Sequence, residues 1–60
     1  MPIVSIKIVE GRSVEQKRGL AKDVTAAIVK NIGCPAEAVH IQIIDLKREN
    51  FADGGKLLCD

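Results

Sequence analysis

Pro2, directly behind Met1, is the residue of this chain whose type and place could do chemistry unaided. With the methionine removed, its nitrogen is a secondary amine and not an amide. An amide nitrogen has no useful basicity, because its lone pair is delocalised into the carbonyl. A free α-amine titrates near ~7.7–8.0 in model peptides, and an apolar pocket or a neighbouring cation pushes such a value toward neutrality. An N-terminal Pro2 is therefore a candidate general base on a rigid ring; with Met1 attached it is a tertiary amide and cannot be one. Position alone does not separate this reading from an ordinary proline after a start codon. Other reactive side chains are sparse. Cys34 sits beside Pro35 and Cys59 is next to last; neither has a recognisable base partner, and cysteine is among the commoner buried residues, so both read as structural. With one histidine and no C-x-x-C, no metal site is expected.

The elements that must position Pro2 follow from patterning. Ile3 to Val9 is rich in β-branched residues and predicts a strand. Val4, Ile6 and Ile8 fall on one apolar face, with Pro2 in the same phase at the strand's start, where no ladder N–H is required. Glu10-Gly11-Arg12 predicts a turn. Ser13 with Gln16 three residues on is a capping-box pattern, so a helix is expected over 14–32. Leu20, Val24, Ala27, Ile28 and Ile32 give it an apolar stripe, and Lys17, Arg18, Lys22, Asp23 and Lys30 read as its solvated side. Asn31 and Gly33 fit the helix end, and Pro35 prevents continuation. Residues 35–38 predict a short turn, and Val39 to Leu46 a second strand alternating at Val39, Ile41 and Ile43 against His40 and Gln42. Residues 47–50 read as a polar loop. Gly54-Gly55 signals a tight turn or hairpin, with a short strand from Lys56 to Cys59 that would pair most usefully with a neighbouring subunit. The fold class is α+β: one βαβ unit with parallel strands and a right-handed crossover, plus the C-terminal hairpin.

Sixty residues make one domain, 1–60, which buries only about 60% of its unfolded surface. Yet 47% of the residues are hydrophobic. A two-stranded sheet under one helix cannot stand alone, so the surplus predicts a homo-oligomer. Net charge is +1, with nine basic and eight acidic residues interspersed and one aromatic, which argues against a nucleic-acid partner. No apolar run approaches the ~20 residues that span a bilayer. The start runs straight into strand-like sequence without a charged n-region, so no membrane association and a cytoplasmic location with reduced thiols are expected.

Pro2, then Glu10-Gly11-Arg12-Ser13 followed by Glu15-Gln16-Lys17, then Phe51 before Gly54-Gly55, closely resembles the 4-oxalocrotonate tautomerase family over nearly the whole chain. The resemblance implies a βαβ subunit whose sheet pairs with a second subunit's. It also implies hexamers arranged as trimers of dimers, active sites shared between subunits, and no cofactor. The implied activity is that of an isomerase. It converts a 2-hydroxydienoate such as 2-hydroxymuconate, an unsaturated dicarboxylic acid of the kind met in aromatic-hydrocarbon degradation, to its conjugated 2-oxo form. Pro2 matches the family's base and proton shuttle. Arg12 matches an arginine that binds a substrate carboxylate and draws electron density toward it, a task for which a guanidinium fork suits better than lysine. Phe51 matches an aromatic that lines the pocket, and Val9 an apolar wall position, where core packing is an equal reading.

His40 departs from the pattern, since the family carries a second arginine there for the other end of the substrate. Histidine is shorter and lacks the five-donor fork; it reads equally as a neutral donor to a carbonyl oxygen and as a strand histidine facing solvent or an interface. Lys47 or Arg48 is the alternative source of a second cation. The resemblance leaves two other functions in view: dehalogenation or hydration of an unsaturated acid, which needs a carboxylate to activate water, and a non-catalytic oligomeric binding module that retains the fold.

Overall fold

The computed structural model describes residues 1–60. Strand β1 (Ile3–Val9) coincides with the β-branched run. Helix α1 (Val14–Ile32) starts where the capping box predicts. The Ser13 hydroxyl accepts the Gln16 N–H at 3.1 Å, and Gln16 Oε1 accepts the Ser13 N–H at 2.9 Å. Two donors that the first helical turn would leave orphaned are thus satisfied reciprocally. The helix ends at Gly33, whose φ of 81° is the left-handed cap conformation that a side chain resists, and whose N–H bonds the Val29 carbonyl.

Strand β2 (His40–Leu46) begins one residue later than predicted. Residues 36–38 close a 3-10 turn, and the Val39 N–H is spent on the Ala36 carbonyl at 3.1 Å. The 47–50 loop likewise contains a 3-10 turn at Arg48–Asn50. The hairpin pairs β3 (Ala52–Asp53) with β4 (Lys56–Leu57). Gly54 and Gly55 supply its tip with φ of 58° and 85°, the double positive φ that a two-residue type I′ connection demands. The expected final strand therefore finds its partner within the chain, and stops at Leu57 because the Asp60 N–H turns back to the Leu57 carbonyl at 3.1 Å.

β1 and β2 are parallel, as a strand–helix–strand connection requires. The register pairs Ile3 with His40 and Val9 with Leu46. Successive side chains alternate faces, so Val4, Ile6, Ile8, Ile41, Ile43 and Asp45 look toward α1. Ile3, Ser5, Lys7, Val9 and their partners His40, Gln42, Ile44 and Leu46 form the open face.

α1 lays a different stripe on the sheet from the predicted one. Leu20, Val24 and Ile28 are half-buried as expected, and Ala21, Thr25 and Val29 join them. Ala27 is exposed and Ile32 is 66% exposed. Lys17, read as part of the solvated side, is half-buried and reaches Asp45 of β2 at 2.6 Å. The helix is thus turned so that the residue one turn ahead of Leu20 and Ala21 faces the sheet.

No residue is fully buried. The chain exposes 4627 Å², whereas a compact monomer of this size exposes about 3,800 Å². Its radius of gyration is 14.5 Å, against about 10 Å for a compact chain of this length. The hairpin contributes to that spread, because it packs chiefly on the Arg48–Asn50 turn. The surplus surface, roughly 800 Å², is what one partner contributes to a standard protein interface.

Candidate active site

Pro2 is half-buried at the head of β1, and its carbonyl accepts the His40 N–H at 3.0 Å. That bond extends the parallel ladder by one rung and fixes the backbone next to the ring. Met1 projects from it, 83% exposed. His40 itself is exposed, on the open face opposite Ile3. Pro2 and His40 therefore share one end of the sheet.

Arg12, Val9 and Phe51 belong to the other end. β1 carries the chain roughly 20 Å away from Pro2 before Val9 and the turn that presents Arg12. That turn is tied to the end of β2 twice: the Glu10 N–H donates to the Leu46 carbonyl at 2.8 Å, and Glu10 Oε1 accepts the Arg48 N–H at 3.4 Å. Phe51 follows the Arg48–Asn50 turn, half-buried, with its N–H on the Arg48 carbonyl and its carbonyl accepting the Leu58 N–H at 2.9 Å. One subunit thus brings together Arg12, Val9 and the Phe51 segment at one end, and Pro2 with His40 at the other.

Arg12 borders a cleft of about 260 Å³ together with Ile8, Gln16, Lys17 and Leu20. Its guanidinium makes neither an ion pair nor a side-chain hydrogen bond, while Lys17 is paired with Asp45, Arg18 with Glu15 and Lys47 with Glu49. Ile8 and Leu20 form the apolar floor, and a free guanidinium at the rim suits an anionic group on an otherwise apolar molecule. No three His, Cys, Asp or Glu side chains converge anywhere in the chain. Cys34 is half-buried at the helix end and Cys59 exposed, both free.

The sequence reading missed Gln16 and Lys17 as cleft-lining residues and Asp45 as the partner of Lys17. A signal was present in the β2 pattern: Asp45, itself exposed, interrupts the apolar phase of Ile41 and Ile43 on the side that faces α1, where a helix cation can reach it. Lys17 precedes Leu20 by three positions and so sits in helical phase to supply that cation.

A family model described as tautomerase enzyme matches residues 2–60. The chain belongs to the tautomerase family. Among its tautomerase relatives, a protein named probable tautomerase from Lactiplantibacillus plantarum is 45% identical over 60 residues, covering 100% of this chain and 94% of the relative. A probable tautomerase from Streptococcus pneumoniae is 46% identical over 57 residues, covering 95% of each. The solved structure of YwhB, a homologue of 4-oxalocrotonate tautomerase, superposes with a TM-score of 0.93 at 37% identity, over 98% of this chain and 97% of that one. A heterohexamer 4-oxalocrotonate tautomerase from Chloroflexus aurantiacus gives a TM-score of 0.92 at 30% identity, over 100% and 97%. The α+β architecture, a parallel βαβ unit with a short hairpin, is the tautomerase fold.

Proposed function

We propose that the protein is a cofactor-free isomerase that converts a 2-hydroxydienoate to its conjugated 2-oxo acid in a homo-oligomer, with Pro2 as the base. The observation that carries this reading is the pairing of a half-buried Pro2 on an ordered strand head with an uncommitted Arg12 beside an apolar cleft, in a chain of the tautomerase family. Once Met1 is removed, the Pro2 amine takes the proton from the 2-hydroxyl and returns it to a carbon of the diene. One group serves both steps, which is efficient when its pKa lies near the working pH. Arg12 holds the carboxylate and favours the electron flow toward it beside the apolar floor of Ile8 and Leu20, while Val9 and Phe51, outside that cleft in one subunit, are candidate walls where a second subunit closes the site. His40 stands near the base and is a candidate donor to the 2-oxo oxygen.

Because Pro2 and Arg12 lie at opposite ends of one subunit, this chemistry requires Arg12 to come from another copy. The surplus surface supports association, and the heterohexamer relative supports a six-subunit arrangement. Hydrolytic dehalogenation is the weaker reading. It needs a free carboxylate beside the base, and the one carboxylate of β2, Asp45, is paired with Lys17 at the far end of the strand.

The test is ketonisation of 2-hydroxymuconate by protein whose mass confirms loss of Met1, set beside a Pro2→Ala variant. Loss of a positioned base lowers kcat/KM by about 10²–10⁴-fold. Equal rates from the two proteins would remove Pro2 from the mechanism.

A further inference from the structure

The cleft beside Arg12 is lined by a second polar side chain with donors to offer, that of Gln16. Gln16 is the third residue of α1 and precedes Leu20 of the cleft floor by four positions, so the two share a helix face. Gln16 and Arg12 are both exposed, and thus open to a ligand from solvent. Lys17 borders the cleft too, but its ammonium is committed to Asp45 at 2.6 Å.

The capping box fixes what Gln16 presents. Its Oε1 accepts the Ser13 N–H at 2.9 Å. Only the carbonyl end of an amide accepts, so the other end is the Nε2 amino group with its two donors. No side-chain hydrogen bond of the chain uses those donors. They are uncommitted in the same cleft as the uncommitted guanidinium of Arg12. The side chain is also ordered before any ligand arrives, because the bond to Ser13 already holds its rotamer. A free glutamine would lose that freedom on binding.

A carboxylate has about four lone-pair positions, and a guanidinium fork takes two of them. Over the apolar floor of Ile8 and Leu20, the remaining positions need donors other than water. We propose that Gln16 is a substrate-binding residue: anchored to the helix cap through Oε1, it donates from Nε2 to the carboxylate that Arg12 holds. The capping box then serves the site as well as the helix. The proposal rests on the reading of Arg12 as the carboxylate binder.

The test reads the dissociation constant of muconate by calorimetry on the assembled full chain. Muconate is a diacid with the carbon skeleton of 2-hydroxymuconate and no hydroxyl to ketonise, so binding is read without turnover. Urea midpoints at equal subunit concentration report the cap separately. Gln16→Met removes both the cap acceptor and the donors, and is expected to weaken muconate about tenfold. Ser13→Ala removes the other half of the same box and leaves the Gln16 amide on the backbone N–H of position 13. It is expected to weaken muconate by a clearly smaller factor at a similar loss of stability. Gln16→Glu keeps an acceptor for that N–H and loses the donors. It is expected to hold the parental urea midpoint and yet weaken muconate by more than about tenfold, because an anion then faces the bound one. A purely capping role for Gln16 would give equal losses of affinity in Gln16→Met and Ser13→Ala, or parental affinity in Gln16→Glu. Either result would overturn the proposal, and the Gln16→Glu comparison decides alone where Gln16→Met does not assemble. Arg12→Ala separates the two levels. If it binds muconate as the parent does, the carboxylate reading of Arg12 falls and the proposal with it. If it binds weakly while Gln16→Glu binds like the parent, only the role of Gln16 falls.

Discussion

At the scale of single residues, the site is defined by which charged groups are already spoken for. Of the cations around α1's first turns, Lys17 and Arg18 have carboxylate partners and Arg12 has none. A guanidinium kept free at a cleft rim has a planar fork to offer, and lysine cannot reproduce two parallel donors. Arg12→Lys is therefore expected to lower kcat/KM for the 2-hydroxydienoate by about tenfold, chiefly through KM, while a circular dichroism spectrum stays unchanged because Arg12 holds no other part of the fold. Pro2 stood out in the sequence by its own chemistry, and Arg12 as a candidate only through the family resemblance. Lys17 and Asp45 did not stand out, because each looks like an ordinary surface charge until register brings the two together across 28 positions of chain.

At the scale of elements, legibility followed local chemistry. α1 begins and ends as predicted because Ser13, Gln16 and Gly33 carry its signals within a few residues of each terminus. Its rotation was not legible, because Ala27 and Ile32 fit an apolar stripe as well as Ala21 and Val29 do. Only the sheet decides between them, and it decides for the side that lets Lys17 meet Asp45. The start of β2 shifted for a similarly local reason, the capture of the Val39 N–H by the 3-10 turn. The capping box is the element-scale device with the clearest energetic consequence. Ser13→Ala removes the acceptor for the Gln16 N–H and is expected to cost about 1 kcal/mol. Urea titrations of both proteins at the same subunit concentration check it, since concentration alone shifts the stability of an associating protein. The same helix start presents Arg12, so the variant is also expected to loosen the cleft.

At the scale of the whole molecule, an isolated subunit has two faces to its sheet and one helix to cover them. The consequence is a chain in which no residue is fully buried, and Ile3 stays 79% exposed on the open face. The lack of a fully buried core was legible from 47% hydrophobic content in sixty residues, more apolar surface than one helix and two strands can cover. What would cover the open face was not, because an apolar face does not say what packs on it or in which orientation. What the structure adds is that the two candidate site residues Pro2 and Arg12 lie at opposite ends of β1, too far apart to meet on one small substrate within a single subunit.

That separation has a genetic consequence. If each site draws Pro2 from one chain and Arg12 from another, the two functions belong to different gene copies in a mixed assembly. A cell making only a Pro2→Ala chain or only an Arg12→Ala chain would be inactive. Co-expressed in equal amounts, the two would complement each other, because about a quarter of randomly assembled sites would receive both intact residues. Purified homo-oligomers mixed after refolding together would recover activity in the same proportion, and a chain that completed its site alone would recover none.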